Sequence, residues 1–263
     1  MSRSNPQDSL ANPAKKFISW SGEEGNFNYW DKEAKKKVVI EIGPKKPFLF
    51  LWLDALSTIK GYSDSAGSGF WSNEVRKLDK EPLTVRTKEG IVCKGLYANI
   101  KDSVTAKGAK FCQSVYVAMK GDDGKLEICN LQLYGAALTA WIEFVKGKKL
   151  SEIAVKVTSS LEQKKGKTVY RTPVFEVVPT IKEETNAQAI ELDKELQEFL
   201  KAYLDKNASD TSEPETVADK AEVTKGQPTA SRSKLEENTN FANEANEVAN
   251  DIISGMASDE EPF

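Results

Sequence analysis

Three observations predict a mainly β fold for this 263-residue chain. Apolar residues alternate with period two in several short runs. Turn-forming Gly, Asp and Lys clusters separate those runs in pairs, as hairpins require. No strand–helix–strand alternation of the parallel α/β class is visible. An antiparallel barrel or curled sheet of about eight or nine short strands satisfies all three, with a β-sandwich as the other arrangement.

The elements follow in order. Residues 1–13 are polar, have no apolar period and predict a flexible arm. Phe17-Ile18-Ser19-Trp20 opens the strands, and 27–31 pairs with 37–42 around a Lys-rich turn. In 48–53, Leu49, Leu51 and Leu53 fall on one face and Phe48, Phe50 and Trp52 on the other. Residues 63–69 predict a mobile Ser/Gly loop that ends at Phe70-Trp71. Hairpins are predicted for 83–87 with 91–93, for 110–120 with 126–133 across Gly121-Asp122-Asp123-Gly124, and for 153–161 with 169–178. Residues 134–145 predict one embedded helix, because Leu138, Trp141, Ile142 and Val145 recur at three and four. The domain therefore spans 14–181. Leu192, Leu196, Phe199 and Tyr203 then predict an amphipathic helix over 182–205, packed on the domain or on another copy.

Residues 206–257 are rich in Ser, Thr, Glu, Pro and Lys, and so poor in large apolar side chains that they predict a disordered linker. Within them Phe241, Ala245, Val248, Ile252 and Met256 regain helical spacing, which reads either as an incidental stretch or as a partner-docking helix.

Charge is divided sharply. Residues 14–182 hold 29 Lys+Arg against 19 Asp+Glu, whereas 183–263 hold 7 against 20. A basic body beside an acidic tail suits a protein that meets a polyanion. There is no histidine, which excludes Ser-His and Cys-His nucleophile pairs. Cys93, Cys112 and Cys129 have neither disulfide-framework nor zinc spacing and predict buried or half-buried thiols in a reducing cytoplasm. No phosphate-cradling Gly-x-x-x-x-Gly-Lys motif occurs. No enzyme activity, metal or cofactor is expected, and neither a signal peptide nor a membrane span.

Single-stranded nucleic acid is bound by stacking bases on aromatic rings in a positive groove. The candidate contacts are Trp20, Tyr29, Trp30, Lys35, Lys36, Lys37, Lys45, Lys46, Trp52, Trp71 and Arg76, where aromatic and basic residues interleave beside turns. Phe17, Trp141 and Phe175 read as core. The lysine-rich turn at 164–167 would meet phosphates if it rims the groove.

The sharpest motif is the end of the chain. Asp259, Glu260 and Glu261 precede Pro262 and Phe263. This offers an apolar ring at a free end, a carboxylate for capture, a proline that limits the entropy lost on docking, and acidic steering toward basic-rimmed pockets. The end resembles the C-terminal tip of bacterial single-stranded DNA-binding proteins, where an acidic run closes with Pro-Phe. Certain tailed phages encode proteins of this kind that also end in an acidic tail with a terminal aromatic. The match covers about six residues plus the order of basic domain, linker and acidic tip.

Among antiparallel barrels, the strand and hairpin pattern fits an oligonucleotide-binding barrel (OB-fold) with insertions best, although the folded part does not align with the motifs of the bacterial domain. The resemblance implies protection of single-stranded DNA in replication, recombination or repair. Residues 259–263 would recruit a polymerase, helicase or primase, or nuclease, and would compete with DNA for the basic groove. A homo-oligomer and a location in the bacterial cell or infected host cell belong to the same expectation. The longer folded part and a linker without Gly/Gln-rich character point to a divergent member, of host or phage origin, and leave the oligomeric state open. An interaction adaptor with a DNA-mimicking tail and an RNA-binding barrel are the other readings.

Overall fold

The computed structural model describes residues 11–63 and 67–209. Residues 1–10 of the arm, 64–66 of the 63–69 loop, 210–257 of the linker and the acidic tip lie outside the described residues, whereas residues 206–209, expected in the linker, are helical.

Eleven strands form one mixed sheet. They are β1 (Lys16–Ser21), β2 (Asn26–Asp31), β3 (Lys36–Ile40), β4 (Phe48–Ser63), β5 (Ser68–Ser72), β6 (Leu83–Thr87), β7 (Gly90–Gly95), β8 (Ala109–Lys120), β9 (Leu126–Tyr134), β10 (Ala154–Lys165) and β11 (Thr168–Val178). Three helices accompany them: α1 (Tyr97–Ala106), α2 (Gly135–Val145) and α3 (Glu183–Ser209). The order across the sheet is β3-β2-β1-β9-β8-β4-β5-β6-β7, and β10 branches from β4 and carries β11.

The mainly β expectation holds, and so do the three hairpins, α2 and α3. Two parts of the barrel expectation are corrected. The sheet is open, not closed. It is also not purely antiparallel, because β1 runs parallel to β9 with Ile18 beside Leu131. Hairpin signals report neighbours in sequence, and this pairing joins residues more than a hundred apart. Near the gap, the Arg171 N–H on β11 donates to Gly22 O at 2.7 Å. The Trp20 indole N–H donates to Arg171 O, also at 2.7 Å. Gly25 makes this approach feasible. Its φ is +70°, and a Cβ there would lie 2.5 Å from the Arg171 Cδ.

The spine is β4. Phe48–Leu51 pair with β10 and Lys60–Ser63 with β5, while β8 runs along the other edge from Phe50 opposite Met119 to Gly61 opposite Ala109. The register shifts between Trp52 and Asp54. Such a bulge reverses which alternate side chains face each side. Before it, Phe48 and Phe50 point inward and Leu51 and Leu53 outward; after it, Ile59 points inward and Leu56 outward.

The inner core gathers Ile18, Trp20, Phe27, Phe48, Phe50, Val117 and Leu131 around Leu138 and Trp141 of α2. The second core lies on the outer face, where Leu196, Phe199 and Leu200 of α3 cover Leu53, Leu56, Tyr116 and Ile128. Thus α3 packs back on the domain. Helix α1 buries Tyr97, Ile100 and Val104, a three-residue signal too short to stand out in the sequence. Phe17, expected as core, is instead 36% exposed, because β1 buries Ile18 and Trp20 and turns the intervening residues outward. Among the described residues, no helix is long and apolar enough to cross a membrane.

Candidate nucleic-acid interface

The outer face beside the end of α3 carries a transverse row of side chains. Lys110 on β8 lies opposite Lys60 on β4, Lys60 opposite Trp71 on β5, Trp71 opposite Arg86 on β6, and Arg86 opposite Ile91 on β7. Side chains directly opposite one another in adjacent strands share a face. Trp71 is 41% exposed, and Tyr62, two residues beyond Lys60 on the same face, is 58% exposed. Lys94 stands opposite Thr84 in the adjoining row. Among the described residues, no carboxylate is within ion-pair distance of Lys60, Arg86, Lys88, Lys94 or Lys110. The result is a cationic surface with exposed rings, in which Lys60 also acts electrostatically on the buried Glu74.

This surface folds against the end of α3 to form an open cleft of about 380 Å³. Trp71, Thr84, Arg86, Ile91 and Lys94 line it from the sheet, and Tyr203 and Asn207 from the helix. A polar assembly beneath the cleft holds α3 in place. The carboxylate of Glu74 accepts from Ser114 Oγ at 2.5 Å and from Tyr116 Oη at 2.7 Å. The Glu74 backbone N–H donates to Tyr203 Oη at 2.9 Å. Burial pushes the Glu74 carboxyl above its ordinary range, although the two hydroxyl donors and the charge of Lys60 pull the other way.

The nominated residues divide. Trp71 sits at the centre of the cationic row. Trp30 is 63% exposed and lies opposite Lys37 on β3, and the register of β1 with β2, extended by one residue, sets Phe17 on its other side. Lys37, however, is held by Glu24 at 2.9 Å. Lys35 lies in the exposed β2–β3 turn and Lys36 opens β3 beside it; Asp31 braces the turn by accepting from the N–H groups of Glu33 and Ala34. Lys45 and Lys46 are exposed beyond β3, and Lys46 pairs with Glu41 at 3.4 Å. This second patch is therefore mixed in sign.

The other nominees point elsewhere. Trp20 is 5% exposed and is core, so it presents no ring face to a base. Tyr29 is half-buried beneath Lys16, whose ammonium is 5.6 Å from the ring centre. Trp52 packs against the inner core at the bulge. Arg76 is held by Asp54 through two hydrogen bonds, and this partner keeps its guanidinium pKa above the usual value. The tip residues 259–263 lie outside the described chain. Of the residues read as core, Trp141 is 2% exposed and Phe175 packs against its ring.

Lys60, Tyr62, Arg86, Ile91, Lys94 and Lys110 were not foreseen. Arg86 had a local signal, since Leu83, Val85 and Thr87 alternate as buried residues around it. Lys60 had none, because its face depends on the bulge six residues earlier. Burial raises the pKa of the Cys112 and Cys129 thiols to about 12, which leaves them protonated and poorly nucleophilic. Among the described residues, no cluster of metal-ligating side chains occurs. Comparison with protein-family models, curated proteins and solved structures finds no match to this chain.

Proposed function

We propose that this protein binds single-stranded DNA without catalysis, protects it during replication, recombination or repair, and recruits partner proteins through Asp259 to Phe263. The observation that carries the reading is the row Lys110–Lys60–Trp71–Arg86–Ile91. It interleaves an exposed indole with cations that, among the described residues, form no ion pair with a carboxylate. Cations of this kind attract phosphates, and an exposed ring face stacks on bases that only an unpaired strand presents.

The chain path supports the same reading. Antiparallel β4, β8 and β9 lead into α2, then to β10, which returns to β4, and to β11. That connectivity resembles an OB barrel, with β1 standing beside β9 and in contact with β11. In such a barrel the loop between the first two strands contributes to oligonucleotide binding. Here that connection, between β4 and β8, is expanded into β5, β6, β7 and α1 and bears Trp71 and Arg86. Because α3 covers the middle of the outer face, DNA contact shifts to this expansion.

The test is a fluorescence and gel-retardation titration with oligo(dT) and with duplex of equal length, at low and moderate salt. Quenching and retardation by oligo(dT), weakened by salt and absent with duplex, are expected. An unquenched spectrum and an unshifted band at low salt would remove the proposal. The same titration with poly(U) separates DNA from RNA preference.

A further inference from the structure

We infer that the cleft between the β5–β7 face and the last turns of α3 seats a single unpaired nucleotide of the bound strand. Its base enters between the walls that carry Trp71 and Tyr203, and its phosphate turns toward Arg86 and Lys94. This rests on reading the Trp71 face as the DNA interface, and it makes α3 part of the binding site.

The size comes first. About 380 Å³ lies at the small end of the range of about 300–1,000 Å³ typical of small-molecule sites, which suits one nucleotide and not a folded segment. The two aromatic walls come next. Trp71 is fixed by its place in β5. The Tyr203 ring stacks on Phe199 with centroids 5.7 Å apart and planes 24° apart, and its hydroxyl is anchored by the Glu74 N–H. The Tyr203 ring therefore need not be ordered on binding, and preorganisation of this sort lowers the entropic cost of capture.

The floor is equally set. The Asn73 side chain donates to Pro82 O at 3.1 Å and accepts from the Thr84 N–H at 2.6 Å. Ser72 Oγ accepts from the Ile59 N–H at 2.9 Å. The positive charges stand on one side, on β6 and β7. A flat, neutral ring joined to one anionic group matches this division better than an acidic peptide, which would bring several carboxylates and a single ring.

The experiment uses the full chain. Binding of oligo(dT) is measured for wild type, Trp71→Ala, Tyr203→Phe and Tyr203→Ala. In parallel, an oligo(dT) carrying 5-iododeoxyuridine is photocrosslinked to wild type and the crosslinked residues are mapped. The expected result is a loss of at least about fivefold for Tyr203→Ala, a smaller loss for Tyr203→Phe, which keeps the ring on Phe199 and gives up only the hydroxyl anchor, and crosslinks at both Trp71 and Tyr203. Crosslinks at Trp71 without Tyr203, together with wild-type affinity in Tyr203→Ala, overturn the nucleotide seat and leave DNA binding standing. Absence of any oligo(dT) binding by wild type overturns both. The wild-type crosslinking arm decides the matter even if Tyr203→Ala loosens α3.

Discussion

Arg76 grips Asp54 in a bidentate contact, with Nη1 donating to Oδ1 at 3.0 Å and Nη2 to Oδ2 at 2.7 Å. Gln197 on α3 joins them, donating from Nε2 to Asp54 Oδ2 at 2.9 Å. The strap after β5, the outer face of β4 and α3 are thereby fastened at one point. Arg76→Ala leaves a nearly buried carboxylate without its main partner. Because Arg76 itself is partly in water, the expected loss is about 1–3 kcal/mol, read as a lower urea midpoint with an unchanged slope. An unaltered midpoint would show that the contact contributes nothing.

Trp71 is the ring most exposed within the cationic row. Trp71→Ala should weaken oligo(dT) binding by about 1–3 kcal/mol, the usual effect of removing one stacking platform. That is about 5- to 150-fold in affinity. Trp30→Ala, in the mixed-charge patch, should cost less. A larger loss for Trp30→Ala would move the interface to β1–β3.

Salt dependence counts the phosphates. For single strands the slope of log K against log salt is about −0.7 per phosphate contact. Lys60→Ala and Arg86→Ala should each make the slope shallower by about 0.7. Arg76→Ala should leave the slope unchanged, since that guanidinium is already engaged by Asp54.

Glu74 links stability to pH. Its carboxyl pKa is raised by burial above the ordinary 4.5, so over that window the folded state holds more protons than the unfolded one. Stability therefore falls as pH rises from about 4.5 through the folded pKa. Glu74→Gln should flatten this segment of a plot of urea midpoint against pH. Parallel curves for the variant and the wild type would assign the dependence to other groups.

Residues 210–263 hold 13 Asp+Glu and 4 Lys+Arg, and they follow directly on the helix that walls the cleft. If this acidic stretch competes with DNA, a chain ending at residue 209 should bind oligo(dT) more tightly, most clearly at low salt. Equal affinity of the truncated and full chains would leave the tail with partner recruitment alone.

The local elements are legible in the residues alone. Period two and turn chemistry specified the hairpins, and the spacing of Leu138, Trp141 and Ile142 specified α2. Such signals are written within a dozen residues of each other. The charge division and the acidic end are legible there too, as properties of composition. Only the tertiary structure decided that β1 lies parallel to β9, that the sheet stays open, and that Trp20 is core while Trp71 is surface. The bulge after Trp52 transfers Lys60 and Tyr62 to the outer face, and α3 returns from far along the chain to set Tyr203 beside Arg86. A residue's type states what it can contact. Register and long-range packing decide which side of the sheet it faces, and so whether it fills a core or meets a ligand.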